Sequence, residues 1–140
     1  MKKMTDEDKD LLYIDLCARL PYYGLMVQWH GEDYNIIDIG FGRVTVLKPF
    51  MSMTSGSPLI EEVKPYLRSM STMTSKEWVE YCDACLEDEK SFVWAGKKYK
   101  FTPVTHKEEF LNSHHFDHRG LIPMGLALEA KEGMYKTKTE

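Results

Sequence analysis

Three threonines, each followed three residues later by an acid, constrain this chain more than any other feature. Thr5-Asp6-Glu7-Asp8 is close to a capping box, and Thr74-Ser75-Lys76-Glu77 and Thr105-His106-Lys107-Glu108 are complete ones. In such a box the hydroxyl accepts from the third backbone N–H and the acid bonds back to the cap N–H. The acid's charge also suits the positive end of the helix. The boxes predict helices over residues 6–20, 75–88 and 106–112. Leu12, Leu16 and Leu20 recur every four residues and form one stripe on the first helix, which Pro21 ends.

Between the first two boxes the pattern changes to that of a sheet. Leu25, Val27 and Trp29 alternate with Met26, Gln28 and His30, residues 34–39 are apolar and β-branched, and Val44 and Val46 alternate with Arg43 and Thr45. With a turn at Gly40-Phe41-Gly42, this predicts a three-stranded antiparallel meander. Residues 48–73 carry Pro49, Gly56, Pro58 and Pro65 among serines, threonines and methionines, and read as a long loop with one helical turn near 58–63. Trp78, Tyr81, Cys82, Cys85 and Leu86 form an apolar stripe on the second helix. Phe92 and Trp94, then Tyr99 and Phe101, flank Ala95-Gly96 and predict a hairpin. Leu121 to Leu128, broken by Pro123 and Gly125, reads as a turn followed by a short strand. The expected fold is one α+β domain over residues 1–130, a small antiparallel sheet with about three helices packed on one face, and a flexible tail over 131–140.

Composition narrows the function classes. A chain of 140 residues with 43% hydrophobic and 29% charged residues is long enough for one core and unlike a disordered segment. Its net charge of -4 argues against a general nucleic-acid binder. No apolar run approaches the ~20 residues that span a bilayer. The start, Met-Lys-Lys-Met-Thr-Asp-Glu-Asp, leads into acids rather than an apolar stretch, so no secretory signal is expected. Three cysteines, an odd count, fit a reducing compartment and a cytoplasmic location.

Several constellations could carry chemistry. His114-His115-Phe116-Asp117-His118-Arg119-Gly120 is dense in imidazole and carboxylate, the groups of metal and acid–base sites. The same residues also suit a helix end and turn, with Arg119 paired to an acid, and that reading is preferred because no distant partner is apparent. Cys82-Asp83-Ala84-Cys85 joins His114 and His118 in a C-x2-C and H-x3-H pattern. The gap between its halves is about twice the usual one. Both cysteines fall on the apolar stripe, so they are read as packing material, with no metal and no cofactor expected. The lysines of 90–107 interleave with aromatics as in single-strand binders, yet strand alternation sends rings inward and lysines to water. Gly40-Phe41-Gly42 lacks the lysine–hydroxyl pair of a phosphate loop, and no nucleophile elbow is present. Met51, Met53, Met70 and Met73 enrich the irregular stretch and suit either adaptable partner binding or gap filling.

Two long runs resemble a known family. Lys64-Pro65-Tyr66-Leu67-Arg68-Ser69-Met70-Ser71-Thr72-Met73-Thr74 is similar to a KPYLRPxSSMT motif, and residues 111–130 are similar to LNxHHFDYRGLIxxGLALEA. Both motifs resemble those of a family of small uncharacterised proteins from Bacteroidetes genomes, prophages and phages. The resemblance implies a cytoplasmic accessory protein of mobile-element origin and carries no activity. His118 stands where the motif has tyrosine, which argues against an obligatory metal ligand there, and Ser69 replaces its proline. The two runs are expected to meet through an Arg68–Asp117 ion pair with Tyr66 packed beneath.

The resulting expectation is a non-enzymatic protein-interaction module whose partner is a host or phage protein. The candidate binding residues are Tyr66, Arg68, His114, His115, Asp117 and Arg119, and no residue is assigned a catalytic role. The alternative is a small hydrolase or nucleotide- or anion-binding protein using His114–Arg119 with Arg68. It requires those side chains to converge, and it fails if Arg68 is used up in a buried pair. Phage counter-defence is a weaker third reading that rests on the resemblance alone.

Overall fold

The computed structural model describes residues 4–22, 24–49, 54–98 and 105–135, the side chains of 89–98 excepted. All three predicted helices form. Thr5 completes a full box with Asp8 and starts α1 (Asp6–Arg19). Thr74 and Glu77 exchange bonds of 3.0 and 3.1 Å at the head of α2 (Ser75–Lys98). Thr105 accepts from the Glu108 N–H at the head of α3 (His106–Ser113). At this last cap two further N–H groups, of His106 and Lys107, are taken by the Asp88 carboxylate from α2.

The meander forms as β1 (Met26–Trp29), β2 (Glu32–Gly40) and β3 (Arg43–Leu47), antiparallel throughout. Two further strands extend it: β4 (Lys64–Leu67), antiparallel to β1, and β5 (Leu128–Glu129), parallel to β4. The order is β3-β2-β1-β4-β5. The class is therefore α+β, with a mostly antiparallel sheet. The core joins Leu12 and Leu16 of α1 to Val27, Ile36, Val44, Val46 and Leu67 of the sheet, and to Leu121 and Leu126 beyond α3. Leu20 sits at its edge.

Four expectations need correction. The stretch 48–73 is not one loop. Its middle pairs with the edge of β3 (Val46 N–H to Gly56 O, 3.0 Å; Val44 N–H to Pro58 O, 2.9 Å), a 3-10 turn follows at Ile60–Glu62, and β4 is an inner strand. Pro65 disguised β4 because proline lacks a ladder donor. Pairing with β5 begins only at Tyr66, so no β5 bond needs that N–H.

The hairpin expected around Ala95-Gly96 is absent. The backbone stays helical to Lys98, and Tyr99 and Phe101 lie outside the described residues. One glycine costs a helix only ~1 kcal/mol, and its neighbours are good helix formers. The alternation that sent rings inward and lysines to water therefore does not apply over 91–98.

The stripe on α2 is not core either. Trp78 and Leu86 are exposed, as is Cys82, while Tyr81 and Cys85 are half-buried. The tail, finally, is docked as far as Tyr135, and residues 136–140 lie outside the described residues. Lys131 pairs with Asp33 at 2.6 Å, and the hydroxyl of the half-buried Tyr135 donates to Tyr66 O at 2.7 Å and accepts from Met26 N–H at 3.0 Å. No helix among the described residues is long and apolar enough to cross a membrane.

Candidate functional site

The two long runs do meet, through their backbones. Arg68 N–H donates to His115 O and Asp117 N–H donates to Arg68 O, both at 2.8 Å, which extends β4 by one parallel bridge to Phe116. This junction fixes the backbone from which Arg68, His115 and Asp117 project.

The Arg68 guanidinium turns away from Asp117. It forms a bidentate pair with Glu77 at 2.7 Å to each oxygen, reaches Thr72 O at 3.3 Å and lies over the Phe116 ring, 4.2 Å from its centroid. Arg68 and Glu77 are both buried. Burial alone would raise the Glu77 carboxyl. The Arg68 hydrogen bonds, the Thr74 N–H and the Arg68 charge outweigh it and hold the group down at about 2. His114 adds its Nδ1 to the same carboxylate at 3.2 Å and packs on Phe110. Burial lowers the His114 pKa, and Glu77 offsets that only in part.

Asp117 is occupied elsewhere. Its two oxygens accept the N–H groups of Leu121 and Ile122 at 2.8 and 2.9 Å and so hold the turn that leads to β5. The expected Arg68–Asp117 pair is thus replaced by Arg68–Glu77, because Asp117 serves as a backbone cap. His115 is buried in a left-handed conformation (φ 58°) with its ring against Tyr135. Tyr66 is buried, and its hydroxyl donates to Asp33 at 2.6 Å and accepts from Gln28 at 3.2 Å, so these contacts lie on β1 and β2.

Arg119 belongs to a second network. It reaches Asp15 of α1 at 2.7 Å, and the same carboxylate holds Arg19 at 2.8 and 3.0 Å. Arg19 and Asp15 are fully buried, and Arg19 also donates to Phe116 O at 2.6 Å. His118 Nε2 meets Asn112 Oδ1 at 2.8 Å, and Arg119 shares that oxygen. Burial, then the nearby Arg119 and Arg19 charges, push His118 down to about 4.

The six candidates therefore occupy separate structural roles and do not line one cleft. Two guanidiniums and one carboxylate pin α1 to the 116–119 corner, and one guanidinium and one carboxylate pin the head of α2 to β4. Asp15, Arg19, Glu77 and Asn112 were not among the sequence candidates. Asp15 and Arg19 share the Leu12–Leu16 stripe of α1, which is a readable sign of burial. Among the described residues no group of three or more His, Cys, Asp or Glu could hold a metal ion. His114 and His118, with partners of their own, do not join Cys82 and Cys85.

Two surface features adjoin these networks. A cleft of about 460 Å³ opens beside Arg68, walled by Thr72, Glu129, Lys131 and Tyr135. Of its charged walls, Arg68 holds Glu77, Glu129 holds Ser69 and Lys131 holds Asp33. The outer face of α2 is different. Trp78 is 56%, Val79 57% and Leu86 56% exposed, with Cys82 between them. Tyr81 ties this face to the body through Trp78 on one side and Phe110 of α3 on the other. The preceding 3-10 turn, Met70–Thr72, adds an exposed Met70, while Met51 and Met53 lie outside the described residues. No protein-family model, curated protein or solved structure matches the chain.

Proposed function

We propose that this protein is a non-enzymatic binding module that presents the outer face of α2 to a protein partner. The observation that carries the reading is the contrast between the two sides of this helix. Its inner side is locked by the buried Glu77–Arg68 pair, while Trp78, Val79 and Leu86 stand more than half exposed on the other. Covering a large apolar side chain is worth ~1.5–3 kcal/mol, and a rigid tryptophan anchor costs little ordering. The hydrolase reading needs convergent polar groups, and a buried pair of Arg68 was its stated point of failure. In keeping with the motif resemblance, the setting we propose is a cytoplasmic accessory protein of phage or mobile-element type, with a host or phage protein as the partner.

The test is affinity capture from native host cells with the wild-type chain and with Trp78→Ala/Leu86→Ala, each checked for folding by circular dichroism. The reading expects a protein retained by the wild type and lost by the folded variant. Equal capture by both, or no enriched protein, overturns it.

A further inference from the structure

Strands β1 and β4 pair at Val27–Pro65 and Gln28–Lys64, and one step further along this register Met26 stands opposite Tyr66. A backbone rung there would join Met26 N–H to Tyr66 O. The Tyr135 hydroxyl stands in that rung, accepting from Met26 N–H at 3.0 Å and donating to Tyr66 O at 2.7 Å. The His115 ring lies against the Tyr135 ring, 4.7 Å between centroids. Burial raises the Tyr135 phenol above its ordinary range, so the hydroxyl keeps the proton that it donates.

The slot between the two strands is selective. A backbone donor and a backbone acceptor face each other across it, so its occupant must accept and donate through one atom. A hydroxyl does both, and a phenol also supplies a ring for His115. Asp33 and Tyr66 form a second point of recognition beside the slot. The Lys131 ammonium meets Asp33 at 2.6 Å and lies 5.4 Å from the centroid of the Tyr66 ring, so a carboxylate and an aromatic face share one cation. A turn sets the spacing of the two anchors. Met134 N–H bonds to Lys131 O at 3.0 Å, and Gly133 takes the positive φ of 75° that favours glycine.

The receiving residues lie on β1, β2 and β4 and at His115, and they are held without the strap. The three strands pair with one another, and His115 O accepts from Arg68 N–H. The strap itself is superficial. Lys131, Glu132 and Gly133 are exposed, and with Arg68 and Thr72 they wall the open cleft of about 460 Å³. A second segment therefore has room to approach alongside and exchange with the strap.

We propose that this slot is a binding site for a Lys-x-Gly-x-Tyr segment of another protein, which residues 131–135 of this chain occupy and hold shut. The tail acts as an internal competitor, tethered beside the slot at an effective concentration on the order of millimolar. The site uses no residue of the outer face of α2, so the two readings stand or fall separately.

The probe is an N-acetylated, C-amidated peptide copying residues 131–135, titrated into the full-length chain and followed by NMR. Lys131→Ala/Tyr135→Ala, folded by circular dichroism, is expected to bind one peptide per chain at least ~10-fold more tightly than the wild type, with the Met26 amide among the shifted signals. Peptides with phenylalanine in place of the tyrosine, or glutamate in place of the lysine, should bind this variant ~10-fold more weakly. Adding Trp78→Ala/Leu86→Ala leaves the peptide's binding unchanged. Should the opened variant not fold, Tyr135→Phe, which keeps the ring and removes only the hydroxyl, must bind the peptide more tightly than the wild type. A folded, opened variant that ignores millimolar peptide overturns the proposal. So does a wild type that binds equally well, or a phenylalanine peptide that binds as well as the tyrosine one.

Discussion

Glu77→Gln separates the charge of the Arg68–Glu77 pair from everything else that Glu77 does. Glutamine fits a capping box as well as glutamate does, so the Thr74 exchange at the head of α2 survives. What is lost is the negative charge facing a buried guanidinium 2.7 Å away. Removing one partner of a buried pair leaves the other uncompensated and costs ~3–5 kcal/mol. The proton linkage gives a second, independent magnitude. The carboxyl falls from 4.5 in the unfolded chain to about 2 in the folded one, a shift worth ~3 kcal/mol. Because the folded value is the lower, this stabilisation is complete above pH 4.5 and is lost as pH falls toward 2. The assay is urea unfolding at several pH values, with equal m-values required before free energies are compared. The expected result is a loss of ~3–5 kcal/mol at pH 7 in Glu77→Gln, and an acid slope steeper in the wild type than in the variant. Arg68→Met/Glu77→Gln, which removes both charges, is expected to be more stable than Glu77→Gln alone. A variant within ~1 kcal/mol of wild type, with the same acid slope, would refute the assignment of this pair as the lock between α2 and the sheet.

Three other substitutions test the rest of the scaffold. Asp15→Asn strands Arg19 and Arg119 together in a buried corner, and a loss of ~3–5 kcal/mol in urea unfolding is expected. Gly56→Ala sets a Cβ 2.7 Å from the Trp29 ring. Its unfolding free energy should drop by ~1 kcal/mol, with a shift in tryptophan emission as the indole is displaced. Phe41 heads the β2–β3 turn at φ 54° and is 107% exposed, so it packs on nothing. Phe41→Asn should raise the melting temperature through a gain of up to ~1 kcal/mol, because asparagine tolerates the left-handed region.

Much of the scaffold was legible because its signals are local. A threonine and an acid three residues apart need no distant partner to announce a helix, and all three helices begin where the boxes place them. The meander was equally readable from strict alternation through Val27, Val44 and Val46. What escaped depends on neighbours remote in sequence. Pro65 hid β4, and only the late start of β5 beside it makes that proline harmless. The choice of Glu77 over Asp117 as partner of Arg68 turns on Asp117 being taken by the Leu121 and Ile122 N–H groups. The stripe on α2 has helical period in both readings, and periodicity cannot say whether a stripe meets a core or faces outward. The six candidate residues lie within the two runs, and their polar groups are engaged in separate contacts, Arg68 with Glu77, Asp117 with the Leu121 and Ile122 N–H groups, Tyr66 with Asp33 and Arg119 with Asp15.

The central claim is that the histidine-rich corner is structural and not poised for proton transfer. Residue-resolved NMR titration of the imidazoles tests it most directly. His118, buried beside Arg119 and Arg19, is expected to remain neutral until pH falls to about 4, and His114 is expected to titrate below its ordinary value of 6.5. Both shifts lower the folded-state pKa, so the stability linked to each histidine is lost as pH falls from 6.5 through the folded value. Titration of His118 near 6.5, with its ring in contact with water, would contradict the account.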